Sequence, residues 1–396
     1  MNTNYYFSKK ISSLQPSAIR EILKFTADPT VISLAAGNPS NDAFPKEAVR
    51  KITADILRDN IVEALQYSVS EGYVPLVGEL NKLTRSRYGV GTDDDRLIIV
   101  SGAQQGIEMS TKCLCDDGDT IICEDPSFIG SLNAFRSYDV NLVGVPMEKD
   151  GISIEKLEAA LKENKRVRFI YLIPNFQNPS GITMSYEKRK AVYGLAQKYG
   201  ALILEDNPYG DLRFTGGDIP SIKSLDTDGL VIYVGSFSKI LSPGLRVGFV
   251  LANEAIIPKL VVAKQCSDVH TNILAQMICH RFITEYDLPA HIEMLRNLYR
   301  AKCRLMADEI DSRFPKSVKR TTPEGGLFLW CTLPDGSDMP GFCKLAVENK
   351  VAVVPGNAFS ADEDAPNHSF RLNYSTPSEE NIVKGIGILG ELLGKM

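Results

Sequence analysis

Short apolar runs alternate with helical patterns between about residues 95 and 255. Helical periodicity is clearest at Ile154–Asn164 and Tyr186–Tyr199. Strands separated by about 10–15 residues of helix form βαβ units, and a sheet of such units is covered by helices on both faces. The pattern therefore predicts a three-layer α/β/α domain with a mostly parallel sheet. The predicted strands are Leu97–Val100, Thr120–Glu124, Val140–Val145, Val167–Ile173, Ala201–Glu205, Leu230–Gly235 and Val247–Leu251.

The pattern changes after Leu251. An apolar stripe that includes Ile292, Leu295 and Met306 predicts one long helix over 288–313. Residues 1–44 contain a short predicted helix, Ser17–Phe25, but are too few to form a core of their own. We therefore expect an N-terminal arm (1–44) that packs with a smaller α+β domain (288–396), and a large domain over 45–287. The remaining predicted elements of the smaller domain are the strands Gly325–Thr332, Val351–Pro355 and Ser369–Tyr374 and a closing helix, Ser378–Leu393.

Charge and composition narrow the class of protein. The chain has 396 residues, with 44 Lys and Arg against 49 Asp and Glu, so it lacks the positive charge expected of a protein that binds nucleic acid or anionic membrane. No window approaches the about 18 apolar residues of a membrane span, and residues 1–10 do not resemble a secretory signal. The eight cysteines and four histidines show no metal-ligand spacing. We expect a cytoplasmic protein without a metal site.

Polar segments follow four of the predicted strands, at the edge of the sheet where ligands of α/β proteins bind. The loop Ser101–Gly106 opens a helix, whose free N–H groups suit a phosphate. Asn178-Pro-Ser-Gly181 is a turn that would hold an amide at this edge, and Asp206 ends an apolar strand three residues before Tyr209. Each feature has an ordinary alternative, namely a tight turn or a helix cap.

The fourth segment adds a lysine. Ser236-Phe-Ser-Lys239 is followed seven residues later by Arg246. Hydroxyls and an arginine bind phosphate, and a desolvated lysine has a lowered pKa and becomes a nucleophile. Taken singly, this lysine could lie on the surface. Together, the four segments offer the lysine, the acid and the phosphate site that pyridoxal 5'-phosphate requires.

At this point the sequence resembles the fold-type I, class I/II aminotransferases, whose fold is aspartate aminotransferase-like. The motifs occur in the family's order over essentially the whole chain, and Arg371-Leu-Asn-Tyr near the C-terminus completes the set. The segments Ser17-Ala-Ile-Arg20-Glu-Ile and Gln66-Tyr67-Ser make the chain most similar to the kynurenine/2-aminoadipate aminotransferase group and to the aminotransferase-like half of MocR regulators.

The resemblance implies a role for each matched residue toward the cofactor. Lys239 would form the Schiff base and move a proton, and Asp206 would pair with the pyridinium nitrogen. Asn178 and Tyr209 would hydrogen-bond the phenolate oxygen, and Phe128 would stack on the ring where many relatives have tyrosine. The phosphate would be held by Gly102, Ala103, Gln104, Ser236, Ser238 and Arg246.

The resemblance also implies substrate and subunit contacts. Arg371 would grip the substrate α-carboxylate, next to Asn178 and Gly37, while Arg20 would reach a distal carboxylate. Asn38 replaces a glycine that is frequent among relatives. Tyr67 would reach the phosphate of a neighbouring subunit, which implies a homodimer with shared active sites.

The implied activity is transfer of an amino group from an amino acid (2-aminoadipate, aromatic or kynurenine, or branched-chain) to a 2-oxo acid, such as 2-oxoglutarate, by a ping-pong mechanism. Two other functions use the same fold. One is a C–S lyase or decarboxylase with the same cofactor. The other is a ligand-sensing, non-enzymatic module, which is disfavoured because no basic DNA-binding region precedes the first sheet strand.

Overall fold

A computed structural model describes residues 5–12, 14 and 28–396. The strands are β1 (Ile32–Ser33), β2 (Asp95–Val100), β3 (Thr120–Asp125), β4 (Asn141–Glu148), β5 (Gly151–Ile152), β6 (Val167–Leu172), β7 (Leu202–Asp206), β8 (Val231–Ser236), β9 (Gly248–Asn253), β10 (Lys319–Arg320), β11 (Phe328–Thr332), β12 (Val351–Ala352), β13 (Val354–Pro355) and β14 (Ser369–Asn373).

The α-helices of the described residues are α1 (Lys9–Ser12), α2 (Lys46–Asp59), α3 (Ile61–Leu65), α4 (Val74–Leu83), α5 (Ala103–Leu114), α6 (Ile129–Arg136), α7 (Ile154–Glu163), α8 (Tyr186–Tyr199), α9 (Ile257–Gln265), α10 (Ile273–Glu285), α11 (Leu288–Arg313), α12 (Met339–Glu348) and α13 (Glu379–Leu393). Within this part of the chain, no helix is long and apolar enough to cross a membrane. The helix predicted over Ser17–Phe25 lies outside the described residues.

The large sheet has eight strands in the order β2-β9-β8-β7-β6-β3-β4-β5. Strands β8, β7, β6, β3 and β4 run parallel, and β9 pairs antiparallel with both β2 and β8. Helices cover both faces of the sheet, and successive residues of the central strands β3, β6 and β7 enter different cores. Phe169 packs in the core that α5 and α6 cover, and Ile170 packs in the core that α7 and α8 cover. The predicted three-layer architecture with a mostly parallel sheet is confirmed.

The C-terminal part holds a second, antiparallel sheet in the order β10-β11-β14-β13. The predicted strand Val351–Pro355 is in fact two strands in two sheets. Its first half, β12, pairs in parallel with β1 of the N-terminal segment, so that Ile32 lies opposite Val351. Its second half, β13, pairs with β14, so that Val354 lies opposite Arg371. The smaller α+β unit is confirmed, and the boundaries at 44/45 and 287/288 stay predictions.

Topology brings the candidate residues together. The parallel strands β6, β7 and β8 end at one edge of the sheet. The residue after each strand's carboxyl end therefore enters the same space, where α/β proteins bind ligands. Asp206 is the last residue of β7, and Ser236 is the last residue of β8.

Candidate active site

One cavity of about 340 Å³ lies at this edge of the sheet. It is lined by Gly37, Asn38, Ala103, Gln104, Ile107, Phe128, Ile173, Asn178, Asp206, Pro208, Tyr209, Ser236, Ser238, Lys239, Pro243, Arg246, Phe328 and Arg371. The structure thus brings together twelve of the fifteen residues that were assigned a role at the site, together with Asn38. Gly102 lies directly beneath Arg246, Tyr67 lies elsewhere, and Arg20 lies outside the described residues.

The phosphate-binding part of the site combines a helix start with an arginine. Helix α5 begins at Ala103, after Gly102 with a φ of 79° and a ψ of 159°. A β-carbon on Gly102 would lie 2.2 Å from Nη2 of Arg246, so only glycine lets the guanidinium approach this backbone. Arg246 itself has a left-handed φ of 54°, a strained backbone of the kind found at ligand sites. Free N–H groups, this guanidinium and the Ser236 hydroxyl suit a phosphate dianion.

Asp206 provides a buried acid with one free oxygen. The side chain is 3 % exposed, and its Oδ2 accepts a hydrogen bond from the Tyr171 hydroxyl at 2.8 Å. Its Oδ1 is buried without a hydrogen-bond partner. Burial raises the pKa of Asp206 to about 7, and the bond from Tyr171 opposes that rise. A buried carboxylate oxygen without a partner needs a cationic or N–H donor, and a pyridinium nitrogen supplies one.

Lys239 presents its amine to the same cavity. Nζ donates to the Gly37 carbonyl at 3.0 Å. Burial, together with the positive charges of Arg371 and Arg246, lowers the pKa of Lys239 to about 8. A larger fraction of the amine is therefore neutral near pH 7 than for an exposed lysine, which is the condition for attack on an aldehyde.

Arg371 lies buried between two aromatic rings. Its guanidinium carbon lies 4.3 Å from the ring centre of Phe328 and 4.8 Å from that of Phe359. Nη1 donates to Asn178 Oδ1 and Nη2 to the Ala35 carbonyl, both at 2.7 Å, while Nε has no partner. Burial lowers the pKa of Arg371 to about 10, so the side chain stays charged and can bind a carboxylate.

The N-terminal segment contributes backbone carbonyls to the site and to its support. Besides Ala35 and Gly37, Asn38 accepts hydrogen bonds at its carbonyl from the hydroxyls of Ser375 and Thr376. Leu34 continues the β1–β12 pairing through its N–H. This segment therefore connects the lysine and the arginine of the site to the C-terminal part of the chain.

Three aromatic side chains that contact the predicted site residues were missed from the sequence, Tyr171, Phe328 and Phe359. Tyr171 lies inside an apolar run and has the pattern of a core residue. Phe328 lies on a predicted strand, but its contact with Arg371 depends on the pairing of β11 with β14. A signal was present only for Phe328, as an aromatic residue within the predicted strand Gly325–Thr332.

The charges of the cavity match anionic ligands. Lys239, Arg246 and Arg371 are cations, and Asp206 is the acid among the lining side chains. Such an excess of positive charge attracts a phosphate and a carboxylate. The site thus fits pyridoxal phosphate at three separate points, the phosphate, the ring nitrogen and the aldehyde. In the described part of the chain, no cluster of three or more His, Cys, Asp or Glu side chains could hold a metal ion.

Comparison with known proteins identifies the family. The model of aminotransferase class I and II matches residues 29–389. Aromatic-amino-acid aminotransferase 1 of Thermococcus litoralis is 39% identical over 98% of this chain and 94% of that protein. Pyrococcus horikoshii kynurenine aminotransferase, solved with PMP, superposes with a TM-score of 0.95 at 38% identity, covering 98% of this chain and 97% of that one.

A third relative was solved with a cofactor adduct. LysN, an alpha-aminoadipate aminotransferase of Thermus thermophilus complexed with N-(5'-phosphopyridoxyl)-L-leucine, superposes with a TM-score of 0.91 at 37% identity, covering 98% of this chain and 97% of that one. The family model and these relatives span nearly the whole chain, including every segment that lines the cavity. The chain therefore belongs to the class I and II aminotransferases, enzymes of fold type I that depend on pyridoxal phosphate.

Proposed function

We propose that this aminotransferase takes its amino group from 2-aminoadipate, an aromatic amino acid or kynurenine, or a branched-chain amino acid, and passes it to 2-oxoglutarate by a ping-pong mechanism. The relatives' names support the first two donor classes, since they include enzymes for aromatic amino acids, kynurenine and alpha-aminoadipate. The observation that carries the proposal is the Lys239 amine, with its lowered pKa, in one cavity with the unpaired Asp206 Oδ1.

Lys239 and Asp206 would have different roles toward the cofactor. Pyridoxal phosphate, when bound, supplies an aldehyde and a ring that accepts electrons. Lys239 would hold that aldehyde through its amine and later move a proton at Nζ. Asp206 would keep the ring nitrogen protonated through Oδ1.

The other side chains would bind and orient. Arg371 would bind the substrate carboxylate, exchanging its bond to the Ala35 carbonyl for one to the substrate. Asn178 and Tyr209, which contact each other at 3.4 Å, would bind the phenolate oxygen, and Phe128 would cover the ring face. Ser236, Ser238, Arg246 and the start of α5 would hold the phosphate. Arg20 stays a predicted ligand of a distal carboxylate, and the cytoplasmic location stays a prediction.

A donor panel tests the proposal. The loaded enzyme is incubated with 2-oxoglutarate and each candidate amino acid, and the glutamate formed is measured. We expect glutamate from at least one donor of the three classes, and no glutamate from any of them would contradict the proposal. Lys239→Ala should abolish turnover, while Lys259→Ala, which removes an exposed lysine, should leave turnover unchanged.

The same cofactor residues would serve a C–S lyase or a decarboxylase. A single turnover with glutamate and no 2-oxo acid separates these activities, because amino transfer converts the enzyme-bound cofactor to its amine form and releases 2-oxoglutarate. Release of ammonia or carbon dioxide instead would favour the other two reactions.

We also propose a homodimer with shared active sites. Tyr67 is 82% exposed and lies outside the cavity, with its ring against His270. Several apolar neighbours are exposed as well, namely Ile61, Val62, Leu65, Val69 and Val74. Exposed apolar side chains concentrated in one short segment favour an interaction site, and an isologous contact between two copies would cover them on both.

Mixed dimers test where Tyr67 acts. Lys239→Ala and Tyr67→Ala chains are each expected to be impaired alone. If Tyr67 serves the partner's site, a mixed dimer contains one site with both residues intact, and activity returns toward half of the parent's. If Tyr67 serves its own site, no such site forms, and mixing restores nothing. Light scattering of the parent enzyme should give the mass of two chains.

A further inference from the structure

A chain of three buried side chains lies behind the acid of the site. The Ser131 hydroxyl donates to the Tyr171 hydroxyl at 2.8 Å, and the Tyr171 hydroxyl donates to Asp206 Oδ2 at 2.8 Å. Ser131 and Tyr171 have no exposed surface, and Asp206 is 3 % exposed. Neither Ser131 nor Tyr171 lines the cavity, and neither has a role in the function proposed above.

The two carboxylate oxygens of Asp206 have different surroundings. Oδ2 is occupied by Tyr171, so the carboxylate cannot rotate without breaking that bond. Oδ1 is left buried and without a partner. The Ser131 bond fills one lone pair of the Tyr171 oxygen and directs its proton toward Asp206.

We propose that Tyr171 is a positioning residue for amino transfer, which keeps Asp206 ionised and Oδ1 free for the ring nitrogen, and that Ser131 orients Tyr171 for this role. The proposal rests on the pairing of Asp206 with the ring nitrogen in the proposed function. Tyr171 touches neither the cavity nor a reacting atom, so its effect passes entirely through Asp206.

Electrostatics gives the reason why Asp206 needs this support. Burial favours the neutral acid and the bond from Tyr171 acts in the opposite direction; with both effects present, the pKa of Asp206 is raised to about 7. A hydrogen bond to the charged form of a carboxylate favours ionisation. Without Tyr171, a larger fraction of Asp206 would be neutral at pH 7, and a neutral acid does not stabilise a pyridinium charge.

Other titratable groups interact electrostatically with Asp206 but do not replace Tyr171. Glu124 on β3 has a pKa raised by burial to about 8, so it is mostly neutral at pH 7. Tyr209, after β7, and Tyr233, on β8, have pKa values raised by burial and stay neutral. Within the described residues, Tyr171 is the only side chain that donates a hydrogen bond to Asp206.

The packing allows a clean substitution. The Tyr171 ring contacts the ring of Phe135 edge to face, with centres 5.2 Å apart, and phenylalanine keeps this contact. Tyr171→Phe therefore removes only the hydroxyl. Tyr193→Phe is the matched control, because Tyr193 is also buried and its hydroxyl donates to Asp226, at 3.2 Å, in the core on the opposite face of the sheet.

The test measures the protonation of the ring nitrogen directly. Each variant is loaded with pyridoxal phosphate carrying ¹⁵N in the ring, and the ¹⁵N chemical shift is followed against pH. In Tyr171→Phe we expect the midpoint for loss of the ring proton to fall by about one pH unit, the lower end for a hydrogen bond to a charged group. We expect kcat to fall about tenfold at pH 7.5 with little change in KM. Ser131→Ala should shift the midpoint in the same direction by less.

The controls distinguish the role of Tyr171 from the pairing of Asp206 with the ring nitrogen. Tyr193→Phe should lower the unfolding temperature without moving the midpoint, and an equal shift in this variant would overturn the inference. If Asp206→Asn lowers the midpoint and Tyr171→Phe does not, the inference on Tyr171 is wrong and the pairing of Asp206 stands. If Asp206→Asn leaves the midpoint unchanged, the proposed pairing itself is wrong.

Discussion

Replacement of Gly102 by alanine tests the phosphate-binding part of the site. With a φ of 79° and a ψ of 159°, this residue occupies backbone space that is almost exclusive to glycine, and alanine there costs about 1–3 kcal/mol of folding free energy. The new β-carbon would lie 2.2 Å from Nη2 and 2.7 Å from Cζ of Arg246. The contact is with the flexible end of a side chain, so we expect the fold to survive and Arg246 to move.

Displacement of Arg246 sets the expected loss of cofactor binding. The guanidinium would leave its place beside the Ser101 carbonyl, to which Nη2 donates at 3.3 Å. A hydrogen bond to a charged group contributes about 1.5–3 kcal/mol, and about 1.4 kcal/mol corresponds to tenfold in Kd. Gly102→Ala should therefore weaken binding of pyridoxal phosphate by about 10- to 150-fold.

The assay titrates the apoprotein with pyridoxal phosphate and records its absorbance, beside thermal unfolding of the apoprotein. Gly194→Ala is the control, because Gly194 is an exposed residue of α8 and a β-carbon there meets nothing within 4 Å. We expect that control to be more stable by up to about 1 kcal/mol, with unchanged Kd. A twofold change in Kd corresponds to about 0.4 kcal/mol of binding free energy. If Gly102→Ala lowers the stability of the apoprotein but changes the Kd for pyridoxal phosphate by less than this, Arg246 does not hold the phosphate.

Three further predictions concern other residues of the cavity. Arg371→Lys keeps the positive charge but loses the planar guanidinium, which binds a carboxylate through two hydrogen bonds. In steady-state assays kcat/KM should therefore fall about 30-fold, or about 2 kcal/mol. An equal loss of cofactor affinity would contradict a role toward the substrate. The pKa of Lys239 is lowered to about 8, so the apoprotein should capture pyridoxal phosphate faster as the pH rises, with half of the limiting rate near pH 8. The captured cofactor is trapped with borohydride and measured. A midpoint near the ordinary value of 10.5 would show an exposed amine. Phe128→Leu should weaken cofactor binding about fivefold, or about 1 kcal/mol, whereas Phe128→Tyr should match the parent in the same titration; equal losses in both would argue against stacking.

Regular periodicity made much of the fold predictable. The helices Tyr186–Tyr199 and Leu288–Arg313 have the predicted bounds, because an apolar stripe at helical spacing indicates both that the element is a helix and where it begins and ends. The direction of β9 was not predictable, since a strand buried on both faces has the same pattern in either direction. Helix α10 was missed because buried residues occur around much of its circumference, which leaves no clear apolar stripe.

The candidate site was predictable where chemistry follows a strand. Asp206 and Lys239 stand out because polar residues at the carboxyl end of an apolar strand are unusual. Tyr171 lies three residues before Pro174 inside an apolar strand, and only the three-dimensional structure shows that its hydroxyl contacts Asp206. The contact between the Phe359 ring and Arg371 likewise depends on how distant segments pack together, which a single sequence does not show.

The carbonyls of Ala35, Gly37 and Asn38 have a consequence for mutagenesis. These contacts with Arg371, Lys239 and the C-terminal hydroxyls are made by peptide oxygens, which every amino acid carries. Alanine substitution would therefore keep these oxygens, and at Gly37 it would report instead on the new β-carbon, 3.1 Å from the Phe328 ring. Their contribution would emerge only from changes to the main chain itself, such as amide-to-ester replacement by chemical ligation or a one-residue deletion that shifts each oxygen out of place.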